Sequence, residues 1–172
     1  MSWFDFLNGN YFLQVANSKD SISTTLQEKI EFANKERSWF SIETINYKKV
    51  LFDGDSVTIN RIPSMFTPYR GYGTIRIAFN ANDSGTLIKA KIVPYGNIKE
   101  VVIWFCLIFL TLFSIFTWLT TYGSNRYILI AFSWLGILGS LFLGMSYYKY
   151  SLRSYLKKIL ADLNIKGELQ TF

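Results

Sequence analysis

The stretch WLTTYGSNRYIL, residues 118–129, joins two long apolar runs through a short polar segment. No charged residue occurs from Val101 to Leu119 or from Tyr127 to Tyr148. Each run approaches the roughly 20 residues that cross about 30 Å of hydrocarbon as a helix. Neither run has the continuous polar stripe of a helix that packs on the core of a soluble protein, which disfavours that alternative. The sequence therefore predicts a two-helix transmembrane hairpin over residues 98–148.

Basic residues beside the hairpin predict its orientation, because Lys and Arg favour the cytoplasmic side of a membrane. The polar turn carries only Arg126. The N-terminus has no basic start followed by a long apolar stretch, so a secretory signal is not predicted. We therefore expect a membrane protein with both termini in the cytoplasm. The cations that flank the two runs are Lys99, Lys149, Arg153, Lys157 and Lys158.

Residues 1–97 have the composition of a compact cytoplasmic domain that begins with a helix. Ser18 is a candidate N-cap, and Ile22, Leu26 and Ile30 recur at helical spacing. This pattern predicts one amphipathic helix at about residues 19–35. The helix has one apolar face to bury against the rest of the domain.

Short runs rich in β-formers follow the helix. Asp53-Gly54-Asp55 and residues 80–85 supply the Asp, Asn and Gly residues that favour hairpin turns. We therefore predict the α+β class, with a small antiparallel sheet of four or five strands covered by the helix. The candidate strands are WFSIETINY (39–47), KKVLF (48–52), SVTINRI (56–62), GTIRIAF (73–79) and TLIKAKIV (86–93).

The tail, residues 149–172, is predicted to form a second amphipathic helix. A basic amphipathic helix can lie on anionic lipid or pack on protein, and the nearness of the sheet favours packing on protein. Both placements stay open from the sequence. The residues of its apolar face are Leu152, Tyr155, Leu156, Ile159, Leu160 and Leu163.

The residue types needed for catalysis are sparse. The chain has no histidine, and its only cysteine, Cys106, lies inside the first apolar run. This excludes imidazole chemistry and disfavours redox chemistry. Asp53, Asp55 and Asp83 could hold a hard cation if their turns met, but polar turn residues are the simpler interpretation. We expect no enzyme activity, no metal and no cofactor.

Two patterns favour contact with other molecules. The loop RIPSMFTPYRGYG, residues 61–73, carries apolar and aromatic residues between strands, which is typical of an interaction site but also of a cover for the core. Its predicted partner-binding residues are Met65, Phe66, Tyr69 and Arg70.

In the second run, Gly136, Ser140 and Gly144 repeat every four residues and form a predicted helix-docking face. Its occupant is the first run, a second protein or another copy of the chain. Basic and acidic residues nearly balance over residues 1–100, so nucleic acid is not an expected partner.

In the order of its predicted helices, strands and apolar runs, the chain resembles a group of small bacterial membrane proteins of unassigned function. The matching motifs are PSMFTPYRGYG (63–73), similar to their Ser-Phe-x-Pro loop followed by glycine, and GTLIKAKIV (85–93), similar to their hairpin strand. The resemblance covers most of residues 18–163. The chain departs from the pattern by Met65 before Phe66 and by its aromatic N-terminus. The resemblance implies the same architecture, a location in a bacterial inner membrane and no known activity.

These observations lead to one functional hypothesis and two alternatives. We expect a non-enzymatic membrane protein whose hairpin anchors a cytoplasmic module that binds protein or lipid, as an accessory or adaptor subunit. The alternatives are a membrane-tethered enzyme that uses loop carboxylates and an oligomeric effector that perturbs the membrane.

Overall fold

The computed structural model describes residues 7–35, 45, 47, 50–62, 71–82, 85–165 and 167–171. Within these ranges the chain forms six strands, three α-helices and one 3₁₀ turn, Gly96–Ile98. The strands are β1 (Gly9–Val15), β2 (Val50–Asp53), β3 (Ser56–Arg61), β4 (Gly73–Asn82), β5 (Gly85–Pro94) and β6 (Gln170–Thr171). The α-helices are α1 (Lys19–Lys35), α2 (Lys99–Thr120) and α3 (Asn125–Asp162).

The six strands form one antiparallel sheet in the order β2-β3-β4-β5-β1-β6. The three strands β3, β4 and β5 follow one another along the sheet, whereas β1 pairs with β5 across a long stretch of sequence. Asn60 of β3 faces Thr74 of β4, and Thr74 faces Val93 of β5. This register places the end of β3, the start of β4 and the end of β5 at the same end of the sheet.

One face of the sheet carries the core. Alternate residues point to opposite faces of a strand, and the buried residues follow this period of two. Ile59, Ile75 and Ile92 lie in one row across three strands, and each is at most 2% exposed. The other face is more exposed and carries Arg76, Lys89 and other polar residues.

The predicted first helix is confirmed as α1, with the same bounds. The Ser18 side chain accepts a hydrogen bond from the Ser21 backbone N–H at 3.3 Å, as expected of an N-cap residue. Ile22 and Leu26 are buried in the core. Burial of this apolar face secures the helix on the sheet.

The second apolar run and the C-terminal amphipathic segment form a single helix. α3 contains 38 residues, and 38 residues of α-helix are about 57 Å long. Its last turns pack in the same core as α1, so the tail lies on protein rather than on lipid. The predicted domain boundary at residue 148 falls inside this helix. The buried residues of its last turns are Leu152, Tyr155, Leu156, Ile159 and Leu160.

The α+β class and the antiparallel sheet are confirmed, but the described residues form six strands instead of four or five. β1 and β6 were not predicted. The candidate strand at residues 39–47 lies outside the described residues except for Ile45 and Tyr47, which are both buried. The strands β2 to β5 lie where the sequence placed them, within a few residues.

Candidate functional site

The most unusual surface of the molecule is the apolar hairpin, which we define as α2 and residues 125–148 of α3. Both helices are long and apolar enough to cross a membrane. Their large side chains point outward: Phe105 is 70% exposed, Phe132 71% and Leu135 73%. An exposed apolar surface of this extent is typical of a site that contacts a partner or a membrane.

A few side chains hold the two helices of the apolar hairpin together. On α2, Leu110 is fully buried and Thr117 is 4% exposed. The Trp134 indole Nε1–H donates a hydrogen bond to the Ser114 hydroxyl at 2.9 Å. This bond joins α2 to α3 within the apolar segment.

The turn of the apolar hairpin is built around Arg126. Its guanidinium carbon lies 3.9 Å from the centre of the Trp118 ring and 5.0 Å from that of Tyr127. The two rings meet edge to face with centroids 5.6 Å apart. Gly123 adopts a left-handed conformation, with φ of 78°, which permits the tight connection. Arg and aromatic rings together suit the headgroup level of a membrane.

The predicted helix-docking residues do not face α2 as one set. Gly136 is exposed, and a side chain at this position would meet no atom within 4 Å. Ser140 is also exposed, and its hydroxyl donates to the Ile137 carbonyl of its own helix. A side chain at Gly144 would lie 3.2 Å from the Tyr95 hydroxyl, so this glycine contacts the sheet domain instead. Gly136 and Ser140 present an open surface in the single chain.

The predicted partner-binding residues Met65, Phe66, Tyr69 and Arg70 lie outside the described residues. The described residues on either side are Ile62 and Gly71. Ile62 is 60% exposed, whereas a Cβ added at Gly71 would lie 2.9 Å from the Leu152 side chain. Whether the four residues bind a partner stays a prediction.

Three tyrosines connect the sheet to α3 next to the apolar hairpin. The rings of Tyr72 and Tyr95 lie 6.2 Å apart, and those of Tyr95 and Tyr148 lie 5.2 Å apart, both edge to face. Tyr95 has a positive φ of 58°, which turns the chain sharply from β5 towards α2. The sheet domain is therefore joined to the apolar hairpin by packed rings, with almost no linker.

A cleft of about 190 Å³ lies beside these tyrosines, at the end of the sheet where β3 ends and β4 begins. The Thr74 hydroxyl donates to the Asn60 side-chain oxygen at 3.0 Å within it. Sequence patterns did not reveal this cleft, because its residues come from three separate segments that only the strand register brings together. Its lining includes Asn60, Arg61, Tyr72, Thr74, Tyr95 and Ile98.

Two lysines at the same junction converge on Asn8. Lys99 is 4% exposed, and its ammonium donates to the Asn8 side-chain oxygen at 3.0 Å. The Lys149 ammonium donates to the Asn8 backbone carbonyl at 3.3 Å. The residue before β1 thus ties together the start of α2 and the middle of α3.

The loop carboxylates show no metal site in the described part of the chain. Asp55 forms an ion pair with Lys19, and Asp83 lies outside the described residues. Among the described residues, no group of three His, Cys, Asp or Glu side chains converges. A three-carboxylate site of Asp53, Asp55 and Asp83 therefore stays untested.

At the end of α3, Asp162 accepts hydrogen bonds from Lys29 at 2.9 Å and from the Tyr47 hydroxyl at 2.6 Å. Desolvation raises the pKa of Asp162, but the two hydrogen bonds and the charges of Lys29 and Lys158 outweigh it and lower the pKa below its usual value. Burial, followed by the bond to Asp162, raises the pKa of Tyr47 above 10.0. This cluster fastens α1 and α3 to each other and has the character of a structural contact.

No protein family model, curated protein or solved structure matches this chain. The resemblance to small bacterial membrane proteins therefore stays a prediction.

Proposed function

We propose that the chain is an integral membrane protein in which the apolar hairpin anchors the sheet domain at the cytoplasmic face of a bacterial inner membrane. The observation that carries this proposal is the outward-facing apolar surface of two adjacent helices, directly beside a well-packed domain. α2 has 22 residues, and 22 residues of α-helix span about 33 Å, which matches the hydrocarbon thickness. The hydrocarbon chains of lipids would contact this apolar surface and shield it from water.

The distribution of basic residues supports this orientation. The sheet end of the apolar hairpin carries Lys99 and Lys149, whereas the turn carries Arg126 as its single charge. Both ends of the chain then lie in the cytoplasm. α3 is too long for one bilayer crossing, so its final turns extend into the cytoplasmic domain and form part of its core.

The anchored domain acts as a non-enzymatic accessory or adaptor module that binds a protein partner or lipid. Support comes from the loop with Met65, Phe66, Tyr69 and Arg70 and from the open surface at Gly136 and Ser140. The loop would bind the partner from the cytoplasm. The small residues would let a helix of the partner, or of a second copy, approach α3 closely.

Purification of the tagged full-length protein from its native membranes in mild detergent tests this function. We expect alkaline carbonate to leave the protein in the membrane pellet, and mass spectrometry to identify a stoichiometric companion. Extraction by carbonate would overturn the membrane anchor. Recovery without any protein companion would overturn the adaptor role and leave lipid binding or self-assembly.

Two variants locate the contact. Replacing Phe66 and Tyr69 with Ala should reduce recovery of the companion about tenfold, because aromatic side chains dominate interface energies. Phe32→Ala is the matched control, since Phe32 is 67% exposed on α1 and distant in sequence from the loop. Equal recovery with the loop variant and the control would remove the loop from the contact.

A further inference from the structure

The cleft at the junction of the sheet and the apolar hairpin combines polar and apolar walls. Asn60 and Thr74 supply hydrogen-bonding groups, and the Tyr95 ring forms another part of the wall. At its margin, Ile98 is 44% exposed and Ile62 is 60% exposed. Ile98 precedes α2 directly, so the margin of the cleft continues into the apolar surface of the hairpin.

Basic residues lie in the lining of the cleft and near it. Arg61 lines it and is 7% exposed, with its guanidinium carbon 4.1 Å from the centre of the Tyr155 ring. Arg76 is exposed on the same sheet face as Thr74, two residues along β4 or about 7 Å away. Lys91 lies directly opposite Arg76 on β5. Arg61 points to the core face, whereas Arg76 and Lys91 share the opposite face with Thr74. The pair Arg76 and Lys91 raises the local potential on that face and attracts anions to it.

We propose that this cleft binds the headgroup of an anionic phospholipid from the cytoplasmic leaflet. The inference rests on the proposed membrane anchoring and names the ligand of the anchored domain. The Thr74 hydroxyl donates its proton to the Asn60 side-chain oxygen, so the Asn60 amide nitrogen is the donor that a phosphate would use. The phosphate would also be attracted by Arg76. The acyl chains would extend out of the cleft past Ile98 and lie along α2.

The size of the cleft fits this occupant. Pockets that enclose whole small molecules have volumes of about 300 to 1,000 Å³. The cleft has about 190 Å³ and is open, so it accommodates a headgroup whose chains stay in the bilayer. Apolar residues at the margin distinguish a lipid from free phosphate, which gains nothing from Ile62 and Ile98.

The substitution Asn60→Asp tests the site with little change in shape. A carboxylate can still accept the hydrogen bond from Thr74, but it places a negative charge in the cleft. Asn80→Asp is the matched control: Asn80 is exposed on the same sheet face, six residues from Thr74 and about 20 Å away. Both variants change the net charge equally.

The experiment uses full-length protein in nanodiscs of phosphatidylglycerol and phosphatidylcholine in equal parts, followed by native mass spectrometry of the retained lipid. We expect the wild type and Asn80→Asp to retain phosphatidylglycerol in preference to phosphatidylcholine. Asn60→Asp should retain it about tenfold less, as expected for a close like charge at a partly screened site.

Three results would overturn the inference: no preference for phosphatidylglycerol in the wild type, equal loss in both variants, or displacement of the lipid by inorganic phosphate. The last result would assign the cleft to a free anion. Incorporation of the protein into the nanodisc is measured in the same samples. A protein that stays outside the bilayer contradicts the proposed function, whereas incorporation without lipid preference contradicts only this inference.

Discussion

Asp162 is the last residue of α3 and joins that helix to the rest of the domain. Lys29 of α1 and Tyr47 both donate hydrogen bonds to the same carboxylate oxygen. Side chains from three separate segments thus meet at one acceptor. Loss of this polar contact should be measurable as a change in the free energy of unfolding.

Tyr47→Phe should lower the free energy of unfolding by about 1 to 2 kcal/mol, because it removes a hydrogen bond to a charged group at a partly exposed site. Denaturant unfolding of the full chain in detergent measures the change. Tyr150→Phe serves as the control, since Tyr150 is 71% exposed. Equal effects of both variants would show that the Tyr47 hydroxyl contributes nothing to stability.

The pKa of Asp162 predicts a dependence of stability on pH. Its pKa is lower in the folded protein than the value of 3.8 expected when unfolded, so its contribution is complete above that value. The contribution is lost as the pH falls through the lower, folded pKa. Asp162→Asn should therefore flatten the loss of stability below about pH 4. Glu168→Gln is the control. If the free energy of unfolding of Asp162→Asn falls with decreasing pH as steeply as that of the control, the predicted role of Asp162 is wrong.

At the scale of the element, α3 links the apolar hairpin to the core of the sheet. One added residue rotates the following part of a helix by about 100°. An Ala inserted between Tyr148 and Lys149 should therefore turn Leu152 and Leu156 out of the core. Each loss resembles a Leu→Ala change of about 2 to 5 kcal/mol, so the domain should unfold.

Limited proteolysis of the full chain measures this effect as rapid cleavage within the sheet domain. The control is an Ala inserted between Gly123 and Ser124, in the turn of the apolar hairpin, where a loop should absorb it. Resistance of the first variant to proteolysis would show that the end of α3 does not stabilise the domain.

The elements also show which parts of the fold are predictable from sequence. α1 has a clear helical period and an N-cap, and β2 to β5 have alternating patterns and turn residues beside them, so local patterns located them. β1 pairs with β5 at a large sequence separation, and β6 has only two residues. Asn8-Gly9 stands at the start of β1 and Gly167 precedes β6, but turn residues alone do not show which strand each pairs with, because that pairing is long-range.

The candidate site was less predictable for the same reason. The apolar runs and the small residues of α3 were visible as patterns, yet the orientation of Gly144 towards Tyr95 depends on how the sheet meets the helix. The cleft arises from the pairing of Asn60 with Thr74 and from the turn at Tyr95. Residues that come together only in the folded chain produce no periodic pattern in the sequence.

At the scale of the whole molecule, the chain is divided into a part that suits water and a part that suits lipid. The boundary between them is narrow: Pro94 ends β5, and α2 begins at Lys99. Tyr72, Tyr95 and Tyr148 lie at this boundary. Lys99 and Lys149, which both donate hydrogen bonds to Asn8, lie there as well. In the proposed orientation, this short connection would place the lipid cleft near the membrane surface.

In the proposed orientation, the apolar hairpin crosses the membrane with its turn outside. Single cysteines at Ser124 and at the exposed Lys157, in a Cys106→Ala background, are treated with a membrane-impermeant maleimide in spheroplasts. We predict that Ser124→Cys reacts in intact spheroplasts and that Lys157→Cys reacts only after lysis. Reaction of both cysteines in intact spheroplasts, or of Lys157→Cys alone, would contradict this orientation.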